Sequence, residues 1–341
     1  MSVKQAVVMV GGKGTRLLPL TNTRPKLILP VVDRPCLWYL LRALSQSGIR
    51  EVILACGYKA DSIREAMGDG SDSGLDISID YSVESEPLGS GGAIKLVEDR
   101  LDPTFVAANG DVFMTSIVSD QIAFHQNIGA DVTVSTTVVD NPCEYGTIIT
   151  SEDGRVEYFM EKPRPEEVRS NKINSGVYVI NRDVVGSIPA GFYDFSKDLL
   201  PDLVSTGRKV YTHPIDGMFI DAGRPSDLMR VNLEIADDEY YGRDWKAPGC
   251  AIEGAFYLGR GSTVNGCRFT DTVIMRDSKV VGSDLDRVML MEGCTVNGAK
   301  LRNVILGEGC TVGKGAKVSN AVLADGTVVK PGEVLDEGRD V

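Results

Sequence analysis

The sequence predicts an α/β domain built on a mostly parallel sheet, followed by a parallel β-solenoid. The first prediction rests on buried strand patterns that alternate with helical patterns over the first 236 residues. The second rests on apolar residues that recur every sixteen positions beyond residue 248. A chain of 341 residues, 43% of them hydrophobic, is long enough for two such domains. We therefore expect a first domain at 1–236, a linker at 237–248 and the solenoid at 249–341.

The α/β rhythm is clearest near the start of the chain. Ala6–Val10, Glu51–Cys56 and Thr104–Ala108 are short apolar runs of the kind that form fully buried parallel strands. Helical patterns at 37–44 and 60–67 follow the first two runs. This alternation predicts a Rossmann-like sheet, mixed but mostly parallel, that is covered by helices on both faces.

A glycine-rich turn with nearby cations follows the first predicted strand. Backbone N–H groups without a neighbouring Cβ form a concave site for phosphate oxygens, and cations add charge-assisted hydrogen bonds. The turn is not a dinucleotide fingerprint, which needs glycine where Leu17 stands, nor a P-loop, because Pro19 interrupts it. An ordinary strand-to-helix turn with surface lysines is the alternative. The glycines are Gly11, Gly12 and Gly14, and the cations are Lys13, Arg16 and Lys26.

Two carboxylates each follow the end of a predicted strand. Asp111 comes after Thr104–Ala108, and Asp221 comes after Met218–Ile220. Ligands of open parallel sheets bind beyond the carboxyl ends of the strands, so we expect Asp111 to point toward the edge that carries the glycine turn. A second glycine-bearing loop, 84–93, is another place where backbone is expected to approach a ligand closely.

The solenoid prediction depends on three apolar columns. Members of one column are sixteen residues apart, and successive inward positions along the chain, one from each column, are separated by steps of six, five and five residues, which describes a three-sided coil. Stacked coils bury a column that no single coil buries alone, and the repeat resembles the left-handed β-helix of hexapeptide-repeat proteins. The columns are Val264, Val280, Val296, Val312 and Val328; Ile274, Leu290, Leu306 and Val322; and Phe269, Leu285 and Leu301, after which Lys317 breaks the third column.

Composition excludes several functional classes. A net charge of -12 argues against nucleic acid or an anionic membrane as the main partner. No apolar run reaches the roughly eighteen residues of a membrane helix, and no signal-peptide pattern is present, so we expect a cytoplasmic protein. The seven cysteines include no C-x-x-C pair, which indicates neither a zinc site nor a disulfide framework.

The string from Gly11 to Lys26, G-G-x-G-T-R-L-x-P-L-T-x-x-x-P-K, resembles the signature of the sugar-phosphate nucleotidylyltransferases. We call residues 11–26 the signature segment. Four further segments are most similar to the mannose-1-phosphate guanylyltransferases (GDP-mannose pyrophosphorylases) within that family. Relatives usually have alanine where this chain has Gly91 and Ser175, tryptophan at Phe219, and isoleucine or valine at Ala222. The four segments are 82–93, 109–111, 161–163 with 174–176, and 219–225.

The resemblance implies a reaction in which an NTP and a sugar 1-phosphate give an NDP-sugar and pyrophosphate. Displacement at the α-phosphorus needs no protein nucleophile, because the sugar phosphate supplies its own oxygen; the protein positions and neutralises two anions. Two carboxylates with retained waters and phosphate oxygens are a usual way to hold Mg²⁺, and Asp111 and Asp221 are the expected ligands. Arg16 and Lys26 are expected to stabilise the leaving pyrophosphate, and Lys162 to hold the sugar phosphate.

The resemblance also assigns binding residues. Without it, Glu161 would be interpreted equally well as a member of a surface ion pair and Asn174 as a turn residue. The implied nucleotide-binding residues are Gly11, Gly12, Gly14, Thr15, Arg16, Glu84, Pro87 and Gly89, and the implied sugar-phosphate-binding residues are Gly146, Glu161, Lys162 and Asn174.

Glu84 carries the prediction about the base. Uridylyl- and thymidylyltransferase relatives typically have glutamine at the comparable loop position, and its amide both accepts from and donates to a pyrimidine. A carboxylate only accepts, which suits the two adjacent donors of guanine, N1–H and the N2 amine. The sequence therefore predicts GTP over UTP and dTTP, with mannose 1-phosphate as the favoured sugar substrate.

Three alternatives remain open. Uridylyl-, thymidylyl- or adenylyltransfer to glucose 1-phosphate would use the same mechanism. An acetyltransferase in the solenoid is disfavoured, because such sites generally use a histidine base and His125 and His213 both precede the repeat. A catalytically silent regulatory or assembly subunit is disfavoured by the intact charged residues. The flat sides of the solenoid are natural assembly surfaces, so we also expect a homo-oligomer.

Overall fold

The structure of the protein, a computed structural model, describes residues 2–12, 14–57, 59–237 and 246–341. Lys13, Tyr58 and most of the expected linker at 237–248 lie outside the described residues. The chain divides into two compact units, which are described separately below. Unit 1 contains residues 1–12 and 37–219, and unit 2 contains residues 13–36 and 220–341. Each unit combines segments that are separate in the sequence, so the units are not the same as the expected domains. The domain boundaries expected from the sequence remain a prediction.

The elements up to residue 237 are short strands and helices that alternate. The strands are β1 (Gln5–Val10), β2 (Pro30–Val31), β3 (Arg34–Pro35), β4 (Glu51–Cys56), β5 (Ser78–Val83), β6 (Thr104–Asn109), β7 (Val112–Met114), β8 (Val132–Val138), β9 (Gly146–Thr150), β10 (Val156–Glu161), β11 (Lys172–Asn181), β12 (Val210–Pro214) and β13 (Phe219–Asp221). The helices are α1 (Cys36–Gln46), α2 (Ala60–Met67), α3 (Gly89–Lys95), α4 (Ser119–Ile128), α5 (Arg182–Val185), α6 (Leu200–Ser205), which continues a π-helical turn (Phe195–Leu199), and α7 (Pro225–Asp237).

Unit 1 is built on a mixed nine-stranded sheet. Its path runs β10-β9-β11-β6-β1-β4-β5, and β8 and β12 branch from β11. The segment β6-β1-β4-β5 is entirely parallel, whereas β11 runs antiparallel to β6 and β8. Strands β1, β4 and β6 are nearly continuous apolar runs, as expected where both faces are covered, whereas β5, at the end of the path, is only partly buried. Val7, Phe105 and Tyr178 are fully buried in the core. The α/β prediction is confirmed.

The C-terminal part of unit 2 is a left-handed parallel β-helix, which also confirms the prediction. Two parallel sheets have the strand orders β14-β16-β18-β20-β22-β24 and β15-β17-β19-β21-β23. The longer strands bend at residues with positive φ, such as Asp271 and Arg287, and so form two of the three sides of each coil. The strands are β14 (Ala251–Leu258), β15 (Thr263–Asn265), β16 (Arg268–Ile274), β17 (Lys279–Val281), β18 (Asp284–Leu290), β19 (Thr295–Asn297), β20 (Lys300–Leu306), β21 (Thr311–Val312), β22 (Lys317–Leu323), β23 (Val328–Val329) and β24 (Val334–Asp336).

The last full coil corrects the predicted columns. Val312 pairs with Val329, not with Val328, which is 66% exposed. Leu306 pairs with Leu323, so the placement of Val322 in that column was wrong. The coil has one extra residue at the turn between Val312 and Ala316, and the strict sixteen-residue period cannot register such an insertion. The third column likewise continues, with Val318 opposite Leu301.

One outer face of the β-helix is apolar and covered. Val273, Met289 and Ile305 each precede an inward-facing residue, and each is fully buried although none belongs to the interior cluster. Helix α7 packs across β14, β16 and β18. A strand of the β-helix whose sequence is apolar on both faces therefore indicates that the outer face of that side of the coil is covered.

Candidate active site

The carboxyl ends of the four parallel strands in unit 1 form one edge of the sheet. Register pairs Met9 with Asn109, Val10 with Cys56, and Cys56 with Val83, so the strands end level with one another. The residues that follow them therefore lie side by side, as predicted for Asp111 and the glycine turn. In the order of β6, β1, β4 and β5, these residues include Asp111, Gly11, Gly57 and Glu84.

Glu84 faces two of the glycines at this edge. Its Oε1 lies 3.9 Å from the position that a Cβ at Gly11 would take, and a Cβ at Gly57 would collide with the same carboxylate. Its Oε2 accepts a hydrogen bond of 3.0 Å from the backbone N–H of Leu88. Sequence reasoning missed this bond, which fixes the orientation of the carboxylate.

The glycines that follow Glu84 have a different role from the one expected. Residues from Gly89 onward form α3, although the prediction was a loop throughout 84–93. A Cβ at Gly89 or Gly91 would lie 2.7 or 2.9 Å from the Tyr193 carbonyl oxygen, and a Cβ at Gly92 would lie 2.5 Å from that of Gly191. These glycines therefore allow close packing against the segment 191–193, and this packing overrides their poor helix propensity. Pro87, before them, is exposed.

Asp111 lies in the tight turn between β6 and β7 and is half-buried. Gly110 before it packs against β1, because a Cβ there would lie 2.7 Å from Val10 Cγ1 and 2.9 Å from the Met9 carbonyl oxygen. Gly176, with φ of 76°, packs against the Asn109 side-chain amide. The Asn-Gly-Asp and Asn-Ser-Gly segments are thus neighbours across β6 and β11.

Three of the four residues expected to bind the sugar phosphate, Gly146, Glu161 and Lys162, lie on or next to β9 and β10. Gly146 pairs with Glu161, and a Cβ at Gly146 would lie 2.7 Å from Glu161 Oε2. Burial raises the pKa of the Glu161 carboxyl, while the Lys162 ammonium opposes that rise. Lys162 is exposed, has φ of 49°, and donates its backbone N–H to Tyr145 O at 2.9 Å. A left-handed lysine is uncommon and typical of positions where a site dictates the backbone.

Asn174 is held by bonds inside unit 1. Its Nδ2 donates to the Tyr178 hydroxyl at 2.8 Å and to Ser196 Oγ at 3.3 Å, and its Oδ1 accepts from the Gly176 N–H at 2.9 Å. Burial raises the pKa of Tyr178 to about 12, so this hydroxyl stays protonated. The amide therefore organises the β11 bulge, and its contact with a sugar stays a prediction.

Two charged residues near Glu161 were not anticipated. Asp194 raises and Lys197 lowers the pKa of the Glu161 carboxyl. The Asp194 carboxylate accepts from the N–H groups of Ser196 and Lys197 at 2.9 Å, which places Lys197 at a helix start. Lys197 is exposed, as is Lys162. Its signal in the sequence, a lone lysine in a helical pattern, is indistinguishable from that of a surface residue.

In unit 2, Lys26 and Arg16 meet Asp221. Lys26 Nζ lies 3.0 Å from Asp221 Oδ1, and Arg16 Nη2 lies 3.8 Å from Oδ2. The Lys26 side chain is 8% exposed, whereas that of Arg16 is 52% exposed. The structure thus brings Arg16 and Lys26 together with Asp221, which lies 195 positions beyond Lys26 in the sequence. A buried lysine costs desolvation energy that only a partner such as Asp221 offsets.

The turn before these residues is shaped by glycine. Gly14 has φ of 61°, and a Cβ there would lie 2.9 Å from Lys26 Cβ. Thr21 Oγ1 donates to the Gly14 carbonyl at 3.0 Å, which closes the turn onto itself. Gly223 gives the Arg16 guanidinium room, since a Cβ would lie 2.6 Å from Nη2. Thr15, predicted to bind nucleotide, is exposed.

In the part of the chain that the structure describes, no three or more His, Cys, Asp or Glu residues are grouped so that they could hold a metal ion. Likewise, within the described residues no helix is long and apolar enough to cross a membrane.

Two protein-family models match the chain. The model described as "Nucleotidyl transferase" matches residues 5–238, and the model described as "GlmU-like, C-terminal hexapeptide" matches residues 258–340.

Individual relatives point in the same direction. A mannose-1-phosphate guanylyltransferase from Mycobacterium tuberculosis is 35% identical over 293 residues, which are 81% of this chain and 80% of that protein. A UTP–glucose-1-phosphate uridylyltransferase from Synechocystis is 29% identical over 274 residues, covering 76% of this chain and 70% of that protein. Among solved structures, HddC from Yersinia pseudotuberculosis, crystallised with GMP-PN, is 28% identical with a TM-score of 0.58, covering 68% of this chain and 100% of HddC.

Proposed function

This chain belongs to the nucleotidyl transferase family, and from that premise we propose that it transfers a guanylyl group from GTP to mannose 1-phosphate, giving GDP-mannose and pyrophosphate. The chain is an enzyme of the sugar-1-phosphate nucleotidyltransferase class, EC 2.7.7 type. The choice of guanine as the base and mannose as the sugar is a more specific proposal than the enzyme class. It is supported by Glu84 and by the named guanylyltransferase relative.

Glu84 is the observation that carries the choice of base. The Leu88 N–H holds one carboxylate oxygen, and the other faces Gly11 and Gly57 at the carboxyl edge of the sheet. A fixed carboxylate accepts hydrogen bonds and donates none, which matches guanine N1–H and N2–H. A uracil or thymine presents one N–H between two carbonyl oxygens, and each carbonyl would face an acceptor. The geometry therefore favours GTP.

The phosphate chemistry requires charge and position. An oxygen of the sugar phosphate attacks the α-phosphorus of the NTP. The bond between the α-phosphorus and the oxygen that bridges it to the β-phosphate breaks, and pyrophosphate leaves with the bond electrons. Lys26 and Arg16, both anchored on Asp221, are the cations that neutralise the leaving group in the proposal. The backbone of Gly11 and Gly12 provides N–H groups without an obstructing Cβ.

Mg²⁺ belongs to the proposal, with Asp111 and Asp221 as its carboxylates. Carboxylate oxygens are the donors that Mg²⁺ prefers, and it commonly takes only one or two from a protein while substrate phosphates and water complete its shell. When bound, the ion neutralises phosphate charge. Asp221 is 30% exposed and Asp111 is half-buried, so neither carboxylate is sealed inside the fold.

On the sugar side, Lys162 and Lys197 are proposed to bind the phosphate, and Glu161 to accept from sugar hydroxyls. Burial raises the pKa of the Glu161 carboxyl, and its two neighbouring lysines favour the charged form that accepts such bonds. The similarity to a uridylyltransferase makes uridylyl transfer to glucose 1-phosphate the second candidate.

Release of pyrophosphate tests the proposal. The purified chain is incubated with Mg²⁺ and each of GTP, UTP, dTTP and ATP, in combination with mannose 1-phosphate or glucose 1-phosphate. We expect the fastest release from GTP with mannose 1-phosphate, and loss of release in EDTA. Faster release from UTP with glucose 1-phosphate would support the second candidate. No release from any pair by a folded preparation would favour a silent regulatory subunit. Cytoplasmic location and homo-oligomer formation stay predictions.

A further inference from the structure

The signature segment is bonded to the β-helix inside unit 2. Arg24 Nη2 donates to Glu308 Oε2 at 2.6 Å and to Asp325 Oδ2 at 3.0 Å. Thr23 Oγ1 donates to the same Asp325 oxygen at 2.7 Å. The Arg24 and Asp325 side chains are 22% and 20% exposed, so the bond between them is partly shielded from water, whereas the Glu308 side chain is 48% exposed. Such shielding makes charged bonds stronger than those of open surface pairs.

The two carboxylates belong to a corner column of the β-helix. Arg276, Glu292 and Glu308 occupy equivalent positions of successive coils, since each following glycine N–H bonds to the carbonyl of the residue one coil earlier. Arg276 pairs with Glu292 at 2.7 Å within the column. Glu308, one coil further on, forms its ion pair with Arg24 of the signature segment. Arg24 thus supplies a positive charge to two successive carboxylates of this corner, Glu308 and Asp325.

Asp325 is itself held in place. Its Oδ1 accepts from the Glu308 N–H at 2.8 Å, while its Oδ2 receives Thr23 and Arg24. A second anchor lies near the C-terminus, where Arg339 donates to the Leu18 carbonyl at 2.7 Å and its backbone N–H bonds to Asn320 O. The β-helix therefore holds the signature segment at two places, one on each side of its 3₁₀ turn Leu20–Asn22.

Only Pro25 separates Arg24 from Lys26. Pro25 is buried with φ of -64°, and the ring fixes that angle. Lys26 is buried against Asp221. Because the Pro25 ring restricts the backbone between them, a shift of Arg24 also displaces Lys26, whose ammonium group pairs with Asp221.

We infer that Glu308 and Asp325 of the β-helix are positioning residues, which hold Lys26 in place against Asp221 through Arg24. This inference rests on the proposed function for its effect on turnover, but its structural part is independent of that function. The β-helix then supports the site without touching substrate. Positioning errors of about 1 Å are enough to cost about 10²-fold in rate.

The test uses the full chain with the double substitution Glu308→Gln and Asp325→Asn, and with Arg24→Gln, which breaks the same contacts from the other side. Glu292→Gln is the matched control, because it breaks an ion pair of the same column that does not involve the signature segment. Hydrogen exchange is followed at the amides of Leu17, Leu18, Asn22, Ile28 and Leu29, which bond within residues 14–29. Steady-state kinetics give kcat and KM separately.

We expect both sets of substitutions to speed exchange at these amides at least about tenfold, and to lower kcat about tenfold with a smaller change in KM. Glu292→Gln is expected to change neither. Arg24→Lys, which keeps the charge and one bond, is expected to recover part of the loss. Exchange that stays at the wild-type rate in the folded double variant, or in Arg24→Gln if the double variant does not fold, overturns the inference. If the wild type itself releases no pyrophosphate, the proposed function fails, and the exchange rates still decide the inference.

Discussion

The signature segment and the segment 84–93 both follow strands of the parallel sheet, yet their charged residues and glycines differ in use. In the signature segment, Lys26 and Arg16 converge on one carboxylate, Asp221, and Gly14 makes room for Lys26. In the segment 84–93, the glycines pack against 191–193, and Glu84 points a carboxylate at the sheet edge. In the proposed function, the first stretch holds the charge that every nucleotide substrate needs, whereas the second holds the group that distinguishes bases.

Replacing Lys26 is expected to give the largest effect. Lys26→Met keeps the length of the buried stem but removes the ammonium that pairs with Asp221. Loss of one donor to developing charge typically costs about 10²–10³-fold in kcat. The comparison predicts an equal loss for all four nucleotides, measured as kcat/KM for each. A loss confined to GTP would contradict it, because Lys26 would then take part in base selection.

The second prediction concerns Glu84. Glu84→Gln keeps the side-chain shape and replaces one acceptor with a donor, and a hydrogen bond to a charged group is worth about 1.5–3 kcal/mol. The GTP-to-UTP ratio of kcat/KM is therefore expected to fall at least about tenfold, while the kcat of the better nucleotide changes less. Asp80→Asn is the control, since this exposed carboxylate lies on β5, the strand that precedes Glu84, and forms an ion pair with Arg100. Full GTP preference in Glu84→Gln would refute the assignment.

Two glycines give the third prediction, which separates packing from ligand approach. Among the residues that the structure describes, none has an atom within 4 Å of a Cβ at Gly12, whereas a Cβ at Gly92 would lie 2.5 Å from the Gly191 carbonyl oxygen. Gly92→Ala should therefore lower the free energy of unfolding by about 1–3 kcal/mol. Gly12→Ala should leave the free energy of unfolding unchanged and raise KM for the NTP several-fold. Urea unfolding and steady-state kinetics on both variants check this, and the reverse pattern would show that the two glycines have the opposite roles.

Sequence pattern was sufficient for the parts of the site that depend on strand ends. Buried apolar runs predict that Gly11 and Asp111 lie at one edge, and the structure confirms that the strands end level. The family resemblance assigned roles to Glu84 and Asp221, and the structure places Asp221 against Lys26. Both predictions depended on where strands end and on a sequence motif, and neither required knowledge of contacts between side chains.

Contacts through space were not predictable. Arg24 occupies a variable position of the signature, and nothing in its neighbours indicates that its partners lie 284 and 301 residues further on. Helix α3 contradicts the propensity of its three glycines, because the packing partner 191–193 is distant in sequence. The seventeen-residue coil escaped a strict period, since one added residue at a turn shifts every later strand.

One competition experiment tests the central claim most directly. The wild-type chain receives mannose 1-phosphate and equal concentrations of GTP, UTP, dTTP and ATP with Mg²⁺, and the nucleotide sugars formed are separated and quantified at early times. The account predicts mostly GDP-mannose from the wild type, a lower total with the same product ratios from Lys26→Met, and a shift toward UDP- or dTDP-mannose from Glu84→Gln. Predominant UDP- or dTDP-mannose from the wild type would contradict it.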